Sequence, residues 1–175
     1  QVALGDAYSN GRYSCDDDRG GKAADAAGER WYLLAAQAGN VDAQRKLYFS
    51  YGVSAGGEKP EQATFWMSKI AALGGAADLS ELASRHLEAK GVPRDRVLAY
   101  AFELLASRSA GKDEKEGRSN KNDKNAKDEN DQRAKRLAGE VKVLSPEQLA
   151  EAERLADAWK PGTPLPTTSV TGGRS

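Results

Sequence analysis

Between residues 23 and 109 the apolar positions recur three and four apart, the spacing of one face of a helix. No stretch there alternates with the period of two that a half-buried strand shows. This pattern predicts helices over about 23–38, 42–51, 60–73, 76–89 and 95–109 and no sheet. The breaks carry their own chemistry. Gly39-Asn40 is a left-handed stop signal, and Gly52 ends the next helix. Gly56-Gly57 and Pro60 mark a loop followed by a first helical turn. Gly74-Gly75 and Gly91-Val92-Pro93 separate the remaining pairs. Further on, Ser145-Pro146-Glu147-Gln148 has the form of a capping box. Leu149, Ala152, Leu155, Ala156 and Trp159 follow as one apolar stripe, which Lys160-Pro161-Gly162 ends.

The helical pattern repeats. Trp31 to Trp66 and Leu47 to Leu82 are each 35 residues apart, and Trp66 to Phe102 is 36. In the units opened by Trp31 and Trp66 the large aromatic precedes a small-residue pair, a glycine, a leucine, and then an aromatic or histidine. A fixed period of this length marks helix pairs that stack on their neighbours, because one pair alone cannot bury its apolar face. The expected fold is all-α, an α/α superhelical repeat solenoid of about seven to eight helices.

The residues carrying the repeat are Trp31, Tyr32, Ala35, Ala36, Gly39, Ala43, Gln44, Leu47 and Tyr51. They resemble the Sel-one-like repeat family, tetratricopeptide-like α/α proteins of bacterial type. The closing Ser-Pro-Glu-Gln helix is similar to the C-terminal cap of bacterial members. Tyr48 and Ala83 stand where the family has glycine, His86 replaces its tyrosine and Phe102 its tryptophan. The resemblance implies one domain over 1–159 and a non-catalytic protein-protein interaction module. It further implies a partner-sequestering role, such as an immunity protein against a secreted antibacterial effector, for example a phospholipase. The alternative it leaves open is a scaffold or regulator of envelope signalling or cell-surface assembly.

Composition narrows the chemistry. Twenty-six basic residues balance 26 acidic ones, so no net field favours nucleic acid or an anionic membrane. No run approaches the roughly 20 apolar residues of a membrane span. The opening Gln1-Val2-Ala3-Leu4-Gly5 already lies inside a repeat, as a cleaved secretion signal or a trimmed chain would both leave it, and the expected compartment is periplasmic or, alternatively, cytoplasmic. The single Cys15 excludes an intramolecular disulfide. Asp16-Asp17-Asp18 beside it lacks the alternating ligands and glycine of a calcium loop. Gly20-Gly21-Lys22 has neither the leading glycine nor the trailing hydroxyl of a phosphate loop. His86, the only histidine, falls on a repeat-core position and reads as a packing residue. No metal or other cofactor is expected, and no enzyme.

Two segments depart from the helical pattern. Residues 112–133 hold seven basic and seven acidic side chains and one apolar one, Ala126. Such a composition buries too little to offset its ordering entropy, so a charged mobile insertion is expected there. The tail 160–175, rich in Thr, Ser, Pro and Gly, is expected to be flexible.

The partner-binding face implied by the resemblance is the concave one, lined by the first helix of each pair. Positions two and five residues either side of the repeat leucine share one helical face. Around Leu4 they give Asp6 and Ser9; around Leu47, Asp42, Arg45 and Phe49; around Leu82, Ser80, Ser84 and Leu87, with Ala77. The added helix contributes Lys135, with Gln132 and Lys142. An aromatic beside an arginine, as at Phe49 and Arg45, has the composition of an interface hot spot.

Overall fold

The computed structural model describes residues 1–3, 20–52, 59–115 and 124–168. Among them are seven α-helices and no strand: α1 Gly20–Gln37, α2 Val41–Gly52, α3 Pro60–Ala71, α4 Ala76–Glu88, α5 Arg96–Lys115, α6 Lys124–Val141 and α7 Pro146–Ala158. The fold is all-α, as the apolar spacing predicts. The chain divides into two compact units, Gln1–Met67 and Ser68–Ser175.

In the first unit the Gly39-Asn40 pair ends one helix and starts the next. Gly39 takes φ +90°, its N–H bonds the Ala36 carbonyl at 3.0 Å, and the Asn40 N–H reaches the Ala35 carbonyl at 3.0 Å. That is a Schellman stop, satisfying carbonyls that the helix end would leave open. The Asn40 Oδ1 then accepts from the Ala43 N–H at 2.9 Å and caps α2. The helices are antiparallel: Gln44 Nε2, near the start of α2, donates to the Ala36 carbonyl at the end of α1 at 3.1 Å, and the Tyr51 hydroxyl, near the end of α2, reaches Glu29 Oε1 in the middle of α1. Ala35, Ala36, Ala43, Leu47 and Tyr51 are buried between them. Tyr48 is also buried, so the packing accommodates its ring. Trp66 is buried and Trp31 half-buried.

In the second unit α4 and α5 form the central antiparallel pair. Leu79, Leu82 and Ala83 of α4 and Ala99, Phe102 and Ala106 of α5 are all within 1% of full burial. Asp95 caps α5, its Oδ1 accepting from the Leu98 N–H at 2.9 Å. α7 packs on α5 through Ala152, Leu155 and Ala156, and its capping box is formed: Ser145 Oγ accepts from the Gln148 N–H while Gln148 Oε1 accepts from the Ser145 N–H.

α5 continues to Lys115 and α6 begins at Lys124, so both ends of 112–133 are helical; residues 116–123 lie outside the described residues. The tail after Trp159 is tied down as far as Thr168. The Gly162 N–H donates to the Ala72 carbonyl at 2.7 Å, Trp159 Nε1 to the Thr163 carbonyl at 3.3 Å, and the Thr168 hydroxyl to Asp95 Oδ2. Gly74 makes room for this strap: a Cβ there would stand 2.8 Å from Pro161 Cγ.

Candidate partner-binding surfaces

On α2, Asp42, Arg45 and Phe49 share one exposed face, while Ala43, Leu47 and Tyr51 on the opposite face are buried. Phe49 is 53% exposed, its ring 5.1 Å from that of Tyr48 at 59°. A phenylalanine this exposed leaves apolar area open to solvent on this face of α2. Asp6 and Ser9 lie outside the described residues.

In the second unit the helical spacing brings Ala77, Ser80 and Ser84 of α4 together with Gln132 of α6 around one small cleft of about 160 Å³. Ser80 does not offer its hydroxyl to a partner. Ser80 Oγ donates to Glu103 Oε2 at 2.8 Å and accepts from Arg133 Nε at 3.0 Å and Arg136 Nη2 at 3.1 Å. Arg136 Nε completes the network at 2.6 Å from Glu103 Oε1. Glu103 is 1% exposed and Arg133 4%, so this is a buried ionic cluster clasping α4, α5 and α6. Burial pushes the Glu103 carboxyl above its ordinary range, against the opposing pull of Ser80 and the two guanidiniums. Ser84 stays partly open at the cleft mouth; Leu87 is half-buried and Lys135 exposed, and neither lines the cleft.

Glu103, Arg133 and Arg136 escaped the repeat arithmetic. Their signal was nevertheless present: a lone carboxylate inside the apolar run Ala99–Ala106 must find a buried partner, since burying an unpaired charge is costly. The partners come from α6, where Ala134, Ala138 and Val141 are exposed and Leu137 is half-buried, while the arginines reach into the cluster.

His86 packs against Phe102 with ring centroids 5.6 Å apart. Burial lowers its proton affinity, opposed by Asp95 and the Pro93 carbonyl, and its Nδ1 has no hydrogen-bond partner among the described residues. Ser80 already shares its oxygen among three groups, so it is not poised as a nucleophile. Among the described residues no three His, Cys, Asp or Glu side chains cluster as metal ligands, and no helix is long and apolar enough to cross a membrane.

No family model and no curated protein matches the chain. Among solved structures the chain is similar to a protective antigen present in uropathogenic Escherichia coli strains that displays an SLR (Sel-one-like repeat) fold. The identity is 24% and the TM-score 0.45, over 89% of this chain. The chain spans 36% of that protein's length.

Proposed function

We propose that this chain is a non-catalytic protein-interaction module that acts by occupying a partner through its α2 face. The observation that carries the reading is Phe49, 53% exposed beside Arg45 on the face opposite the buried Leu47 and Tyr51. Aromatic and arginine side chains dominate interface energetics, and both stand on the exposed face of α2. The partner class that the residue resemblance supplies is a secreted antibacterial effector enzyme such as a phospholipase, which makes the chain an immunity protein acting in the periplasm.

The test begins with affinity capture from the native organism and mass spectrometry, followed by titration of the captured partner with Arg45→Glu and Phe49→Ala. Each variant is expected to weaken binding by about thirtyfold, the effect of losing about 2 kcal/mol, with thermal melts unchanged. Unchanged affinity in both variants refutes the α2 face. Capture of envelope-signalling or surface-assembly proteins, with no effector enzyme, refutes the immunity role and leaves a scaffold.

A further inference from the structure

The first unit contains a second recognition feature, made of different residues from the α2 face. A pocket of about 440 Å³ lies between α1, the end of α2 and the start of α3. Its walls are aromatic and acidic: Tyr51, Phe65 and Trp66 supply rings, Glu29 and Glu61 supply carboxylates. Phe65 meets Trp66 edge to face, 5.0 Å between centroids at 77°, and is itself 52% exposed. Tyr51 is 6% exposed, and its hydroxyl donates to Glu29 Oε1. Burial and the Glu29 carboxylate push that hydroxyl above the ordinary phenol range, so it remains a donor and the ring stays neutral.

The pocket already holds a cation. Lys59 lines it, with Nζ 4.9 Å from the centre of the Tyr51 ring and 3.6 Å from Glu29 Oε1. The negative face of a ring and an adjoining carboxylate attract an ammonium or guanidinium group together. Lys59 is a loose occupant. Its side chain is 46% exposed, its ion pair with Glu29 is longer than a hydrogen bond, and it precedes α3 rather than lying within it. Half-exposed pairs of this kind contribute little, so an incoming cation displaces Lys59 at small cost.

We propose that this pocket receives a basic side chain, arginine or lysine, from a protein partner, with Lys59 as its internal placeholder. The stem of the incoming side chain lies along Leu33 and Phe65, and its head reaches Glu29 and Glu61. The aromatic wall selects for an alkyl-bearing cation over a bare metal ion, which would need several convergent oxygen ligands. The inference adds a site to the binding reading above without depending on the α2 face, and its test uses no natural partner.

The test is a titration of the full chain, labelled with nitrogen-15, with acetyl-Gly-Arg-Gly-amide, acetyl-Gly-Lys-Gly-amide and the citrulline analogue, which keeps the shape of arginine without its charge. The indole N–H signal of Trp66, assigned with Trp66→Phe, reports occupancy. The arginine and lysine peptides are expected to bind saturably with dissociation constants on the order of millimolar, and citrulline not at all. Lys59→Ala is expected to tighten arginine binding by about threefold to fivefold by removing the competitor. Lys90→Ala, the same charge change in the other unit, leaves it unchanged. Phe65→Ala and Glu29→Gln each weaken binding, and far-UV circular dichroism checks that both remain folded. Absence of a saturable shift, or an equal response to citrulline, overturns the cation site. Equal tightening by Lys59→Ala and Lys90→Ala overturns the placeholder.

Discussion

Removing the Glu103 carboxylate tests what holds α6 to the rest of the second unit. Glu103→Ala deletes an acceptor that takes 2.6 Å and 2.8 Å bonds from Arg136 and Ser80. Hydrogen bonds to charged groups contribute about 1.5–3 kcal/mol each. Two terms reduce their sum. The Arg136 side chain is 34% exposed, so water recovers part of its solvation, and the variant escapes the cost of holding a carboxylate at 1% exposure. Arg133 at 4% and Ser80 at 7% recover nothing comparable. The expected loss is about 2–4 kcal/mol. Urea denaturation followed by far-UV circular dichroism at pH 7 measures it. Arg136→Ala should cost less, and the double variant should show a coupling of about 1–2 kcal/mol. Replacing both residues by leucine should recover part of the Glu103→Ala loss, because Arg136 is then no longer left without its carboxylate, while the buried Arg133 still lacks that of Glu103. A cost below about 1 kcal/mol, or additive single variants, would mean that α6 is held by something other than this cluster.

The same carboxyl sets a pH dependence. Its folded-state value is raised above the ordinary 4.5, so the native state binds the proton more tightly than the unfolded chain. The resulting stability is present in full below that ordinary value and is lost as pH rises through the folded value. The wild-type advantage over Glu103→Gln should therefore grow as pH falls from 7 toward 4.5; an advantage that shrinks would show the arginines outweighing burial. Gly74→Ala and Gly39→Ala share a left-handed backbone, φ +89° and +90°, but only at residue 74 does the new Cβ meet Pro161. Both should lose about 1–2 kcal/mol from the backbone, and Gly74→Ala about 1 kcal/mol more through the displaced strap; equal losses would show that Pro161 yields freely. Ala89, exposed at φ 56°, caps α4 in the left-handed region, so Ala89→Gly should raise stability by about 0.5–1 kcal/mol in the same urea assay, and a loss would contradict the assignment.

Local chemistry is legible in the sequence wherever a residue acts on its own neighbours. Gly39-Asn40, Asp95 and the Ser145–Gln148 box place helix ends through contacts within a few residues, and the three-and-four spacing of Ala43, Leu47 and Tyr51 selects the buried face of α2. That spacing also placed Phe49 opposite the core, where it stands exposed. The α6 helix had to wait for the tertiary structure. Its residues form a charge run, and the same composition serves a solvated loop or a helix docked by two arginines; the difference is Glu103, 33 residues away from Arg136 in the chain. The strap over Gly74 is of the same kind, since Gly162 finds its acceptor in Ala72 across 90 residues of sequence. Periodicity reports which side of a helix is apolar. Which polar groups find one another inside depends on the distances that only the folded chain creates.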